Sequence, residues 1–204
     1  MFKIFMSNQL KNKPKILGLD ISTRTIGWAL FDIQQKDLLE LTHFTPILKP
    51  EPENKIEALI HKTILFEQKL VGYKNLGITK VVIEEPLLNS NNTYTVGTLL
   101  RYNSMITKSI FDILGLVPEY ISTYDSRKFA FPELVRENDK GKKVLFGGWP
   151  KDIDKKMLIW EHVAKREPQI KWLYTKNNTL KKENFDQADA YTCALGYMRK
   201  ENIW

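Results

Sequence analysis

Lys15-Ile16-Leu17-Gly18-Leu19-Asp20-Ile21, followed by Ser22-Thr23-Arg24-Thr25, is the stretch on which the reading of this chain turns. An almost unbroken apolar run closed by a turn-prone segment describes a buried β-strand. One residue violates the pattern. Asp20 sits near the strand's end, where a carboxylate among apolar neighbours is costly unless something compensates it. Residues 27–34 read as a hairpin partner and residues 38–47 as a third strand, and the short links between them imply an antiparallel meander.

Further along, the period changes. Ile56, Leu59, Ile60, Thr63, Ile64 and Leu70 recur at helical spacing, which predicts an amphipathic helix over 53–73. Residues 80–85 read as a short β-branched strand and 86–93 as a loop. A second helix is expected over 95–114, with Val96, Leu99, Leu100, Ile106, Ile110 and Leu114 on one stripe and Gly115 ending it. Residues 119–124 read as a fifth strand, 125–150 as irregular, 155–165 as helical and 184–200 as a closing helix. The strand–helix–strand–helix–strand part requires crossovers between parallel strands. The expected architecture is therefore α/β, a mixed five-stranded sheet with helices on both faces. Residues 1–14 read as a loose leader and 15–204 as a single domain.

Asp20 has company. Glu84 and Glu85 end the strand after Val81-Val82-Ile83. Side chains alternate across a strand, so one glutamate faces the side of Asp20 and the other does not; alternation alone leaves both open. Asp186 and Asp189, in Phe185-Asp186-Gln187-Ala188-Asp189-Ala190, are three apart and share a helix face. The positive start of the helix favours them, yet the pair repels unless a cation lies between. Hard divalent ions such as Mg²⁺ prefer carboxylate oxygens. Two strand-end acids and a helical acid pair are a donor set for two ions about 4 Å apart, the arrangement used for phosphodiester cleavage. Each acid alone has an ordinary role, as a turn former or a helix cap. Their joint interruption of apolar elements is what a metal site explains.

The chain carries 31 Lys and Arg against 24 Asp and Glu, a net charge of +7 over 204 residues. That balance suits a polyanionic partner, because phosphate contacts supply sequence-independent affinity. Cys193 stands alone, which excludes an intramolecular disulfide and a cysteine-based zinc site. No stretch approaches the roughly 20 apolar residues that span a bilayer, and no signal-peptide cleavage site is legible. A cytoplasmic protein without a membrane partner is expected. His43, His61 and His162 show no ligand spacing.

Gly18-Leu19-Asp20-x-Ser22-Thr23-x-x-x-Gly27-Trp28-Ala29 resembles the first motif of the RuvC-like Holliday junction resolvases, members of the RNase H-like nuclease superfamily. It is similar also to the split RuvC domain of RNA-guided CRISPR nucleases. Val82-Ile83-Glu84 resembles the second motif and favours Glu84 over Glu85. Asp186-Gln187-Ala188-Asp189-Ala190 resembles the last. The matches span residues 16–195. The resemblance implies an RNase H-like fold and Mg²⁺, with Mn²⁺ as a substitute, held as two ions by Asp20, Glu84, Asp186 and Asp189. It implies branched DNA, a four-way junction, as the partner, nicked symmetrically by a homodimer. The interface would fall on the helix 95–114, with Met105 and Phe111 as apolar positions that could be shared, or on the helix 53–73, with Leu65 and Phe66. Lys128 and Lys156 resemble the family's lysines after the fifth strand and at the start of the next helix, where they would stabilise charge on the scissile phosphate. Arg101, Arg127, Lys142, Lys143 and Lys155 read as contacts to the DNA backbone. Two departures stand out. Where the family often carries an aromatic in the loop after the glutamate, this chain has Leu87 and Leu88, apolar wedges of another kind. The 131–150 stretch is also longer than the bacterial pattern. Both fit a phage or viral version acting in a host cytoplasm. The alternatives are an RNase H-like nuclease for RNA–DNA hybrids or structured RNA, and a non-catalytic DNA-binding scaffold.

Overall fold

The computed structural model describes residues 13–86, 92–150 and 152–204; the expected leader, apart from Lys13 and Pro14, and the Leu87-Leu88 wedge lie outside the described residues. Strands β1 (Lys15–Ile21), β2 (Ile26–Asp32), β3 (Asp37–Phe44), β4 (Ile78–Glu84) and β5 (Glu119–Ile121) form one sheet in the order β3-β2-β1-β4-β5. The first three pair antiparallel, and β1 with β4 and β4 with β5 pair parallel, as expected for a mixed sheet. β1 and β2 are covered on both faces, which is why they read as continuous apolar runs and not as alternating ones.

Alternation then divides the core in two. Leu17, Leu19, Ile21, Trp28, Leu30, Val81 and Ile83 pack on one side with residues of α1 (Lys55–Val71) and α2 (Thr93–Leu114). Ile16, Ala29, Phe31 and Val82 pack on the other with residues of α3 (Thr123–Ala130), α4 (Lys155–Arg166) and α5 (Glu183–Lys200). By the same parity Gly18, Asp20, Gly27 and Glu84 belong to the α5 side.

Local chemistry sets the helix ends. Asn54 Oδ1 accepts from the backbone N–H groups of Ile56 and Glu57, capping α1. Gly115, at φ 69°, closes α2 in the left-handed conformation that favours glycine. α5 is buried almost continuously from Asn184 to Met198 and touches β1 to β4 as well as α3 and α4. Such an approach needs bare backbone beneath it. A Cβ at Gly18 would stand 2.5 Å from the Ala190 carbonyl oxygen, and one at Gly27 only 1.9 Å from that of Asp186.

Three expectations are corrected. The fifth strand ends at Ile121, because Ser122 Oγ accepts from the Asp125 N–H and starts α3 instead. The stretch expected to be irregular holds α3 and an antiparallel hairpin of β6 (Val135–Glu137) and β7 (Lys143–Leu145). Phe66 is no shared surface position: it is fully buried, its ring centroid 5.9 Å from that of Trp28. The exposed apolar residues of α1 are Ile56, Ile60, Ile64 and Val71.

Candidate active site

β1 and β4 run parallel with Leu19 opposite Ile83. The next residues along, Asp20 and Glu84, therefore lie side by side at the strands' C-terminal ends, on the face that α5 covers. α5 brings Asp186 and Asp189 from its first two turns. Four carboxylates converge, and the electrostatics register it. Burial pushes Asp20 well above its ordinary 3.8, and the charges of Glu84, Asp189 and Asp186 add to the effect, with Lys156 opposing. Burial and then Asp189 raise Glu84 to about 7, against a hydrogen bond from Thr123 Oγ1 and the charges of Arg127 and Lys156. Burial raises Asp186 to about 6; Lys156 opposes, and Asp189 and Glu183 add. Glu85 is exposed and lines a separate groove with Leu100, Asn103 and Tyr120, which resolves the choice that alternation left open.

Two cations reach the acids. Arg127 Nη2 of α3 lies 3.2 Å from Asp189 Oδ1, with both side chains nearly buried. Lys156 Nζ, from the first turn of α4, lies 3.5 Å from Asp189 Oδ2. Burial works against the charge on Lys156, but the attraction of Asp189, Asp20 and Asp186 outweighs it and its pKa is raised. Lys128 goes elsewhere, over the rings of Tyr124 and Phe129. Lys155 lies over Phe146. Lys142 and Lys143 are exposed at the β6–β7 hairpin and Arg101 is exposed on α2. Among the described residues none of these five pairs with the four acids. Sequence alone offers Arg127 only as a backbone contact; its place beside Asp189 depends on α3, most of which falls in the stretch expected to be irregular.

Glu84 Oε2 is buried and has no hydrogen-bond partner. An orphaned carboxylate oxygen in an all-oxygen donor set, surrounded by like charge, suits a hard divalent cation. As the side chains stand, no group of three or more acids, His or Cys among the described residues is arranged to hold one ion; Asp189 is engaged by Arg127 and Lys156.

The raised acids make a stability prediction for the metal-free protein. Folded-state values above the unfolded ones mean that the folded chain holds protons the unfolded chain has released. The window runs from the ordinary 3.8 and 4.5 to about 6 for Asp186 and about 7 for Glu84. Stability is fully present below that window and is lost as pH rises through it. Thermal melts in chelator should show a steeper loss between pH 5 and 8 for the wild type than for Glu84→Gln. Identical slopes would contradict the coupling of Glu84 to this cluster.

No known protein-family profile matches the chain, and no curated protein matches it by sequence. Solved structures do. The fold is RNase H-like α/β of the RuvC type, with the same mixed five-stranded sheet and flanking helices. RuvC of Thermus thermophilus superimposes with a TM-score of 0.55 at 15% identity, over 93% of this chain and 96% of that one. The same protein in complex with a Holliday junction substrate gives 0.54 at 13% identity, over 93% and 95%. At these identities the shared property is the fold.

Proposed function

We propose that this protein is a metal-dependent endonuclease that cuts branched DNA, with the four-way junction as its preferred substrate. The observation that carries the reading is the convergence of Asp20, Glu84, Asp186 and Asp189, from three elements, at one end of a RuvC-type sheet. The likeness to a RuvC bound to a Holliday junction supports the choice of substrate. The four acids would hold two Mg²⁺ ions, or Mn²⁺ in their place, which when bound supply Lewis-acid stabilisation of the scissile phosphate. The chain's own residues do the rest. Lys156 holds a positive charge at the acids' edge, where negative charge grows on the phosphate. Arg127, paired with Asp189, would keep that acid's orientation when Lys156 turns to the DNA. Lys142, Lys143, Lys155 and Arg101 are exposed and Lys128 is half-buried; they would meet backbone phosphates without reading sequence.

A junction offers two equivalent strands, and one domain has one set of acids. A two-fold homodimer supplies two sites with matching symmetry. Exposed apolar side chains of α1 and α2, among them Ile60, Ile64 and Phe111, are the surface proposed for that contact.

A labelled four-way junction with Mg²⁺, beside linear duplex, flap and RNA–DNA hybrid, tests the reading. The junction is expected to be cut fastest. Preferential cutting of the hybrid would transfer the site to an RNase H-like role, and no cutting of any substrate would leave a DNA-binding scaffold.

Two substitutions sharpen the assignment. Glu84→Gln is expected to be inactive and Glu85→Gln to keep activity within a few-fold, because adjacent strand residues face opposite sides. The reverse order would place the wrong glutamate at the site. Lys156→Ala is expected to slow single-turnover cleavage by about 10²-fold, the usual loss for one charge-stabilising donor, with a smaller change in affinity. Lower affinity at an unchanged rate would make Lys156 a simple phosphate contact.

A further inference from the structure

A groove of about 330 Å³ adjoins the acidic cluster and shares Asp186 and Lys156 with it. The β1–β2 turn contributes Arg24 to its wall, and the start of α5 contributes Lys182, Glu183 and Phe185. The turn is held in shape: Ser22 Oγ accepts from the Thr25 N–H and donates to the Thr25 carbonyl, which fixes where Arg24 leaves the backbone. Arg24 and Lys182 are exposed, and the charge of Arg24 reaches Asp186, whose pKa it works to lower. Phe185 is partly exposed and is not among the residues packed into either half of the core. Two exposed cations and a partly exposed aromatic ring around one groove are more than a merely structural turn requires.

Charge and size narrow the occupant. Arg24, Lys156 and Lys182 face Glu183 and Asp186, three cations against two carboxylates, a balance of one positive charge. A phosphodiester carries one negative charge, whereas a terminal phosphate carries nearly two at neutral pH. The volume sits at the small end of the roughly 300–1,000 Å³ typical of ligand sites, room for a single nucleotide and not for a duplex. A guanidinium and an ammonium bind phosphate oxygens, and an aromatic face stacks a base of any identity.

We propose that this groove seats the nucleotide next to the bond that is cut, its phosphodiester held by Arg24 and Lys182 and its base laid against Phe185. The inference rests on the nuclease reading and deepens it. The cleaved strand would be held in register beside the acids by its backbone, and its base would leave the stack at the cleavage point.

Neutral methylphosphonate linkages, placed one at a time along the cut strand, test the subsite. For the wild type, KM should rise about ten-fold when the phosphate one nucleotide from the nick is neutral. Arg24→Ala/Lys182→Ala should raise KM about ten-fold on the native strand, more than it lowers kcat. It should also become indifferent to that one linkage while still responding to others. Arg24→Lys should restore much of the response, and melting curves report that the surface variants stay folded. A double variant as sensitive at that linkage as the wild type overturns the subsite alone. A wild-type protein that cuts no DNA overturns the nuclease reading and the subsite with it.

Discussion

Asp20→Asn is expected to lower single-turnover cleavage of a four-way junction by about a thousand-fold or more, about 4 kcal/mol of transition-state stabilisation. Junction affinity should stay within about two-fold. Asp20 stands at the centre of the cluster: Glu84, Asp186 and Asp189 all raise its pKa, after burial itself. The amide keeps the shape of the carboxylate and loses the charge that attracts a divalent ion. The same substitution should stabilise the metal-free fold, because it removes one of four crowded negative charges. A melting temperature rises by about 2–4 °C for each kcal/mol regained in a domain of this size. Lost activity with gained stability marks a functional charge and not a structural one. Activity within a few-fold of wild type would remove Asp20 from the site.

Gly27→Ala should do the opposite to stability and the same to activity. Gly27 lies directly across the β1–β2 pair from Asp20. Its Cβ would meet the Asp186 carbonyl oxygen at 1.9 Å, its carbonyl carbon at 2.5 Å and Ala190 Cβ at 3.1 Å. The first two are backbone atoms of α5 and cannot swing aside, so the helix itself must move. Overpacking of this kind costs about 1–3 kcal/mol or more. α5 carries Asp186 and Asp189, and a displacement of about 1 Å at a reacting centre can cost about 10²-fold in rate. Thermal melting and single-turnover cleavage together measure both losses. A variant with wild-type stability and rate would mean that α5 is not seated on β2 as described.

The glycine also shows what was legible in the sequence. Gly27 stood out as part of a motif, but its reason, contact with a helix more than 150 positions later, belongs to tertiary structure. β1 was readable because a single acid interrupts an apolar run. α5 showed little amphipathic contrast because it is buried on nearly every side, and its aspartate pair identified it better than its periodicity did. Parity could say that Glu84 and Glu85 face opposite ways, but not which one faces α5; the register of Leu19 against Ile83 decides that. α3 was missed because Tyr120, Ile121, Thr123 and Tyr124 all favour strands, while one hydroxyl, that of Ser122, caps a helix in their midst. With α3 went Arg127, whose contact with Asp189 no local pattern announces. Arg24 lies far from Lys182 and Phe185 in the chain, and only the docking of α5 against the β1–β2 turn makes them neighbours.

An acidic constellation that cuts junction DNA with divalent metal must leave nicks at defined places on defined strands. Mapping the nicks on all four 5′-labelled strands of an immobile four-way junction tests it most directly. With Mg²⁺, paired nicks are expected on two opposite strands of like polarity at symmetrical positions, and none in chelator. A junction left intact with both Mg²⁺ and Mn²⁺, or cut equally well in chelator, would contradict the account.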